Sequence, residues 1–356
     1  MYAPLEFLEQ VSGYFQAPVD SVITEGVNNY AMHLVDETVS KHKNEFYATY
    51  KHVHYRTEGF EKLTRLADVF KNDLQSHTGY SMSLMSTDDA YNYMFYADIR
   101  NTWRKNKVAY RVDDVLVENF VNMDIPKELE TSVVTKYPVD CFYIDYCNAG
   151  DLICKYLVGT FVVHTVFNET STISFLHLLE TGKFGYAFVI TNMDAVCTDG
   201  VQKLPTCGKL PESTPVVLDT GETVLVNEAA FYKFFVNFCL YLNAANREVE
   251  ISERTKANHS KVVTNIKDKF REVKEFDVGV RYGSQVRAKI KRFKYTGDVS
   301  ETKSTRTVSA HYRSAHWHHY WVGSGEDKEL VLKWVEGVFV HGDNLTDNVV
   351  VHKVIN

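Results

Sequence analysis

The middle of the chain contains the stretch Leu157-Val-Gly-Thr-Phe-Val-Val-His-Thr-Val166, in which β-branched and aromatic residues dominate. Such residues fit the half-buried, pleated surface of a sheet, so this stretch predicts a strand. Val139 to Tyr146 and Phe184 to Thr191 have the same character. Asp219-Thr-Gly221, between two apolar runs, is typical of a hairpin turn. Residues 126–250 are therefore predicted to form a mixed α/β central region built on short strands.

Helical patterns flank these strands. From Glu58 to Leu74, apolar residues recur at every third or fourth position and line one face of a helix. A second helix is predicted to begin after Thr87. Beyond the strands, Asn227 is a suitable N-cap for an apolar helix from Glu228 to Leu242. Together with the strands, these patterns predict an α+β fold in which residues 1–125 are mainly helical.

The third predicted region, residues 251–356, is a basic lobe rich in histidine and tryptophan. The polar stretch Arg247 to Asp277 is expected to be a solvated helix and connector, with the domain boundary near it. Glycine-containing turns separate the segments that follow, which predicts a small antiparallel sheet. Its expected strands are Val278 to Tyr295, Arg306 to Val322, Glu329 to His341 and Asn348 to Val354.

Charge is divided unequally along the chain. Residues 1–250 contain 20 basic and 33 acidic residues, a net charge of −13, whereas residues 251–356 contain 19 basic and 13 acidic residues, a net charge of +6. The acidic part argues against nonspecific coating of nucleic acid by the whole molecule. A basic, aromatic C-terminal lobe is typical of a protein that contacts a polyanion such as RNA.

The sequence contains no signal of secretion or of membrane insertion. The N-terminal residues lack the basic segment and apolar run of a secretory signal, so we expect a cytoplasmic protein. The most apolar segment, Ala229 to Leu242, is shorter than the roughly 20 residues that a bilayer requires, and it predicts a buried core helix. The six cysteines have no zinc-ribbon spacing, so reduced thiols are expected. Phosphate-loop, dinucleotide-binding, zinc-protease and serine-hydrolase motifs are absent from the sequence, and we expect no cofactor.

The densest concentration of functional side chains is the stretch His311-Tyr-Arg-Ser-Ala-His-Trp-His-His-Tyr-Trp-Val-Gly323. Its rings can stack and donate hydrogen bonds, which suits bases, phosphates or a bound peptide. Read as one extended strand, it presents both faces loaded with such groups, and the alternative is that one face packs in the core. The first face carries His311, Arg313, Trp317, His319 and Trp321, and the second carries Tyr312, His316, His318 and Tyr320. Upstream, a basic run lies along the first predicted strand of the lobe, where the alternative is a solvated, charge-protected sheet face. That run consists of Arg281, Arg287, Lys289, Lys291, Arg292 and Lys294, with Gln285 among them.

These residues resemble a known family. The ring-rich stretch fits the pattern H-x-R-x-x-H-W-H-x-Y-W-x-G, which together with later residues resembles the C-terminal signature of the second type V-A anti-CRISPR family of phages and plasmids. Ser314-Ala315 stands where that family has a more basic pair, and the first ninety residues show no match. The other matching segments are Lys328, Lys333-Trp334, Val338-Phe339-Val340, Arg281-Tyr-Gly-Ser-Gln-Val-Arg287, Arg100-Asn-Thr102, Tyr110-Arg-Val-Asp113 and Pro138-Val-Asp-Cys-Phe-Tyr-Ile-Asp145.

The resemblance implies an anti-CRISPR protein that acts in the cytoplasm of a bacterial host. It implies that the protein recognises the nascent N-terminal peptide of a CRISPR effector nuclease during translation and triggers loss of its mRNA. The expected partners are that peptide and the mRNA or ribosome, with no membrane, and no intrinsic catalysis is expected. The expected binding residues are Arg281, Arg287, Arg292, His311, Arg313, His316, Trp317, His318, Tyr320, Trp321, Lys333 and Trp334.

Two alternatives involve the same histidines. His316 and His318, two positions apart, could both bind zinc if His341, His352 or a distant aspartate supplied a third ligand. Cleavage of RNA without a metal would use the two histidines as general base and acid, with Arg313 on the phosphate. The alternative function is therefore an RNA-binding or RNA-cleaving enzyme.

Overall fold

The structure is a computed structural model that describes part of the chain. The described residues are 37–42, 57–78, 87–126, 129, 131–134, 139–167, 170–180, 186–195, 213–218, 220–253, 255, 273–296, 311–324, 328–340 and 350–352. Within them, five long helices and fourteen strands give an α+β fold, as predicted. The helices are α1 (Thr57–Thr78), α2 (Thr87–Asn106), α3 (Asp114–Asn122), α4 (Glu228–Asn243) and α5 (Val280–Thr296).

The strands occupy the middle and the C-terminal parts of the chain. They are β1 (Val108–Val112), β2 (Cys141–Asp145), β3 (Leu157–Phe167), β4 (Thr170–Glu180), β5 (Tyr186–Ala195), β6 (Thr214–Val217), β7 (Thr223–Val226), β8 (Val249–Ile251), β9 (Lys274–Val278), β10 (His311–Arg313), β11 (His316–Val322), β12 (Glu329–Val335), β13 (Val338–Val340) and β14 (Val350–His352). The three predicted central strands are confirmed as β2, β3 and β5, and the predicted hairpin turn joins β6 to β7.

One mixed sheet of seven strands lies at the centre, in the order β5-β4-β3-β2-β1-β9-β8. β1 runs parallel to both β2 and β9, and the other neighbours run antiparallel. The ends of the polar stretch 247–277 are thus strands of this sheet, β8 and β9, rather than a solvated helix. Residues 256–272 lie outside the described part of the chain, and the domain boundary near them stays a prediction.

Helices cover both faces of the sheet. On one face, α2 places Trp103 edge-on to Phe161, with ring centroids 5.4 Å apart, and the indole nitrogen donates to the Val108 carbonyl at 2.8 Å. On the other face, α4 packs beside α3 and buries an aromatic row against β4, where Phe231 and Phe235 both meet Phe175 edge-on. The predicted apolar core helix is therefore confirmed as α4. Among the described helices, none has the length and apolar character needed to cross a membrane.

The predicted strand Val278 to Tyr295 is wrong, because residues Val280–Thr296 form the helix α5. Arginine, lysine, glutamine and alanine in this segment have high helix propensity. The side chains that α5 buries in its first turns, Tyr282 and Val286, are four residues apart, which is the helical period. The Glu248 carboxylate accepts hydrogen bonds from the backbone N–H groups of Arg281 and Tyr282 and so caps the start of the helix. The predicted basic sheet face is accordingly a basic helix.

A buried hydrogen-bonded chain crosses the sheet under α4. The Tyr146 hydroxyl donates to the Thr160 hydroxyl at 2.8 Å, and the Thr160 hydroxyl lies 2.8 Å from His177 Nδ1. Because a hydroxyl has one hydrogen and two lone pairs, Thr160 can accept from Tyr146 and still pair with either tautomer of His177. Burial lowers the pKa of His177 to about 3. The ring therefore stays neutral in the folded protein.

His177 should make the protein less stable in acid. The unfolded histidine titrates near its usual pKa of 6.5 and the folded one at about 3, so protons bind the unfolded state first as the pH falls. This stabilisation is complete above about pH 6.5 and is lost at about 1.4 kcal/mol per pH unit below it. We expect His177→Asn, which keeps a hydrogen-bonding partner for Thr160, to flatten this slope in denaturant unfolding between about pH 6 and 4. The exposed variant His319→Asn should keep the wild-type slope, and an unchanged slope in His177→Asn would contradict the assignment.

Candidate recognition surface on the C-terminal hairpin

The ring-rich stretch forms one arm of a long, bent hairpin. β10 pairs with β13, and β11 pairs with β12, both antiparallel. The pairing register is the same on both sides of the bend, with Arg313 opposite Val338 and His316 opposite Val335. The prediction of one uninterrupted strand is wrong at Ser314-Ala315, which lie outside both strands. Residues 305–310 of that prediction are outside the described part of the chain.

The bend is where the hairpin is fastened to the body of the protein. Ala315 is buried, so the chain turns inward there. The backbone N–H of Gly337 donates to the Tyr282 hydroxyl of α5 at 3.3 Å, and the Asn246 side-chain amide donates to the Trp334 carbonyl at 2.8 Å. These contacts hold the bend against α5 and the loop after α4. Because of these contacts, β10 and β11 do not form one continuous strand, and neither do β12 and β13.

Trp317 and Trp334 form the buried root of β11 and β12, which we name the ring hairpin (His316–Val322 and Glu329–Val335). The two residues are direct cross-strand partners, and their rings lie 5.4 Å apart. The Trp317 indole is 9% exposed, and its nitrogen donates to the Asn237 side-chain oxygen at 2.9 Å. Trp334 packs edge-on against Phe120 of α3 and Tyr241 of α4. A ligand can therefore reach these two predicted binding residues only if the hairpin moves.

The face of β11 that points away from this root carries a row of rings. His316 and His318 have ring centroids 6.4 Å apart, and those of His318 and Tyr320 are 4.6 Å apart. Lys333 is the cross-strand partner of His318, and its ammonium lies 5.8 Å from the centre of the Tyr320 ring. We call these four side chains the ring face. It brings together four of the predicted binding residues and offers stacking, hydrogen-bond donors and one cation.

Beyond Trp317, strand β11 is exposed to solvent. Every residue from His318 to Val322 is exposed, whichever way its side chain points. Trp321, on the same face of the strand as Trp317, is 68% exposed. An exposed indole at the end of a hairpin whose other tryptophan is buried is a natural contact for a partner. The strand therefore uses one tryptophan for the core and the other for the surface.

The remaining predicted binding residues lie elsewhere. Arg313 is exposed in β10, and His311 belongs to the same strand, in a sheet with β13 and β14. Arg281, Arg287 and Arg292 belong to α5. Arg281 is exposed, whereas Arg287 donates to both carboxylate oxygens of Asp113 at 2.9 and 2.7 Å and also contacts Asp114. The hydrogen bonds to Asp113 raise the pKa of Arg287 above its usual value.

Two of the matching segments turn out to meet in space. Asp113 ends Tyr110–Asp113, and its side chain caps α3 by accepting from the Val115 N–H at 3.1 Å. The same carboxylate is held by Arg287, which ends the segment that begins at Arg281. A Cβ at Gly283 would lie 2.0 Å from the Asp113 carboxylate, so only glycine allows α5 to approach this closely. This part of the signature therefore fixes the position of α5.

Asn237 connects three elements of the structure and was not among the residues predicted from the sequence. Its side-chain amide nitrogen donates to the carbonyls of Phe120 and Met123, at 3.0 and 3.3 Å, while its oxygen accepts from Trp317. It thus joins the end of α3, the middle of α4 and the ring hairpin in fully buried surroundings. The available signal was a lone asparagine inside an apolar helix, because a buried amide requires partners.

The two alternatives for His316 and His318 were a zinc site and a site for RNA cleavage. Among the described residues, no three histidine, cysteine or acidic side chains are grouped closely enough to hold a metal ion. His341 lies outside the described residues. For RNA cleavage, the cation on the face of His316 and His318 is Lys333, while Arg313 lies beyond the bend in a different sheet. The trio of His316, His318 and Arg313 is therefore not one cluster around a single phosphate.

The two tryptophans of β11 should respond differently to mutation. Trp317→Ala removes a buried ring and leaves the Asn237 oxygen without its donor, so we expect a loss of about 3–5 kcal/mol in the free energy of unfolding. Trp321→Ala, on the same strand and face, should change it by less than about 0.5 kcal/mol. Denaturant unfolding of both variants measures the difference. Equal stabilities would contradict the assignment of Trp317 to the core.

The chain is similar to a known protein family and to a solved structure. The model of the family described as AcrVA2-like, anti-CRISPR type V subtype A2, matches residues 110–342, which include the ring hairpin, Asp113 and Arg287. A crystal structure of AcrVA2 is similar to this chain with a TM-score of 0.46 and 17% sequence identity, and the similarity covers 87% of this chain and 97% of that one. No curated protein matches the sequence. Because the family model spans more than half of the chain, this protein belongs to the AcrVA2-like family of type V subtype A2 anti-CRISPR proteins.

Proposed function

We propose that this protein lowers the expression of a type V-A CRISPR effector nuclease by recognising the nascent N-terminal peptide of that nuclease during translation and triggering loss of its mRNA. The coarser function, inhibition of type V-A CRISPR systems, follows from membership of the family. The observation that carries the proposal further is the ring hairpin, which presents a recognition surface on a rigid base. In this proposal the protein has no catalytic step of its own and acts by binding.

The ring face suits a short peptide in several respects. Its rings are alternate side chains of β11, with centroids 6.4 Å apart for His316 and His318 and 4.6 Å apart for His318 and Tyr320, and they form a continuous row along which an extended peptide can lie. The rings combine apolar faces with hydrogen-bonding edges, which can hold peptide side chains as well as peptide backbone. The buried root formed by Trp317 and Trp334 keeps these rings in place before the peptide arrives. Such preorganisation lowers the entropy lost on binding.

One edge of β11 lies beside these rings. Within the described residues, β11 pairs with β12 along its other edge and with no further strand. On the same arm, the neighbouring β10 pairs with β13 on one side and with β14 on the other. β14 of this chain thus already pairs along the edge of β10. The corresponding edge of β11 continues in the same direction. A nascent peptide emerging in extended form would add along β11, with backbone hydrogen bonds giving affinity and ring contacts giving selectivity.

The proposal is tested by separating the peptide from the nucleotides that encode it. The first codons of a sensitive effector are fused to an unrelated reporter, which we expect the protein to suppress. Synonymous recoding should leave suppression intact, because the peptide is unchanged. Shifting the reading frame across the same nucleotides, with translation of the reporter preserved, should abolish suppression. Reporter protein and mRNA levels are measured with and without this protein.

The opposite pattern favours a different class of function. If synonymous recoding relieves suppression while the frame-shifted message stays sensitive, the protein recognises RNA sequence directly. The alternative of an RNA-binding or RNA-cleaving enzyme then replaces the proposal. Incubation of the purified protein with the reporter mRNA, with and without a chelator, distinguishes binding from cleavage in that case.

A further inference from the structure

The second half of α5 leaves the body of the protein. The helix buries Tyr282, Gly283 and Val286, and these residues lie within its first two turns. From Arg287 to Lys291, five consecutive residues are exposed, including Ile290 at 40%. Five residues span more than one turn of a helix, so every side of this segment faces solvent. The segment is a projection and not a packed face.

The charge of α5 is entirely of one sign. Its seventeen residues, Val280–Thr296, include six basic and no acidic residues. Arg287 is neutralised locally by Asp113 and Asp114 at the root of the projection. Beyond it, within the described part of the chain, neither Lys289 nor Lys291 takes part in an ion pair. The basic residues of α5 are Arg281, Arg287, Lys289, Lys291, Arg292 and Lys294.

We infer that the projecting half of α5 binds the phosphate backbone of RNA. Residues 287–291 are exposed on all sides, and every charge on α5 is positive, which fits a polyanion. An apolar stripe at helical spacing begins with the buried Tyr282 and Val286, and within the exposed segment it consists of Ile290 alone, so charge dominates that surface. Lysine contacts phosphate as a mobile point charge and reads no sequence, so the binding is expected to be independent of RNA sequence. The inference rests on the proposed function only for the source of the RNA, namely the message under translation or the ribosome.

The position of α5 ties this RNA contact to the ring hairpin. At its first turn, the Tyr282 hydroxyl accepts from the Gly337 N–H at the bend of the hairpin, and the Tyr282 ring lies 6.3 Å from that of Trp334. Glu248 fixes the same turn from the loop after α4, and Asp113 holds Arg287 further along the helix. The two surfaces therefore share one rigid root. RNA held by α5 would keep the ring face close to a ribosome from which a peptide emerges.

The test is direct binding of RNA by the full-length protein. Fluorescence anisotropy with a mixed-sequence, single-stranded RNA of about 20 nucleotides is measured over a series of salt concentrations. We expect Lys289→Glu/Lys291→Glu to weaken binding by about tenfold and to reduce the slope of log affinity against log salt by about 1 to 2. The control Lys105→Glu/Lys274→Glu changes charge by the same amount at exposed lysines. Lys274 is the first residue of β9, whereas α5 follows the last residue of β9. This control position therefore lies at the end of the strand opposite to α5.

Each outcome decides the inference. Wild-type RNA affinity in Lys289→Glu/Lys291→Glu, or an equal loss in the control, overturns it. Competition by polyglutamate of equal charge that matches competition by RNA also overturns it, in favour of an acidic protein partner. If charge reversal prevents folding, Lys289→Gln/Lys291→Gln, which removes charge and keeps helix propensity, should still reduce the salt slope. Because this assay contains no translating ribosome, its failure is distinguishable from failure of the reporter experiment.

Discussion

The buried hydrogen bond from the Trp317 indole to the side-chain oxygen of Asn237 fixes the root of the ring hairpin. The same asparagine donates to two carbonyls at the end of α3, so its amide is fully engaged and cannot rotate without losing partners. A buried polar group that satisfies three elements at once specifies a single arrangement more strongly than apolar packing alone. The ring face is therefore held in one orientation by Trp317, whose side chain points to the opposite face of β11.

This arrangement divides the matching segments into two groups. Asp113, Gly283 and Arg287 form a close junction between β1, α3 and α5, and their role is to place α5. Trp317 and Trp334 likewise place the ring hairpin. His318, Tyr320 and Trp321 are exposed, and Lys333 is half-buried beside the Tyr320 ring. The family signature thus combines residues that place a surface with residues that are exposed on it, and their burial tells them apart.

The sequence predicted the α+β class, two N-terminal helices, the apolar helix α4 and the central strands, because their patterns agree with the packing that each element makes. It failed at α5, because Tyr282, Val286 and Ile290 lie at even intervals that fit both the alternation of a strand and the four-residue spacing of a helix. Alternation along β11 predicted that its side chains point to two opposite faces. Which face is buried could not be predicted, because it depends on the contact between Trp317 and Asn237. That contact joins residues eighty positions apart, which local patterns do not contain.

The central question is whether the outward-facing rings of β11, and not the buried ones, recognise the peptide. The most direct measurement compares wild-type protein with His318→Ala/Tyr320→Ala in suppression of a reporter that carries the first codons of a sensitive effector, alongside thermal melting. The matched control is Val217→Ala/Leu225→Ala, an exposed pair on the separate β6–β7 hairpin. We expect suppression to be lost in the ring variant alone while all three proteins melt at the same temperature. Full suppression by a stably folded ring variant would contradict it.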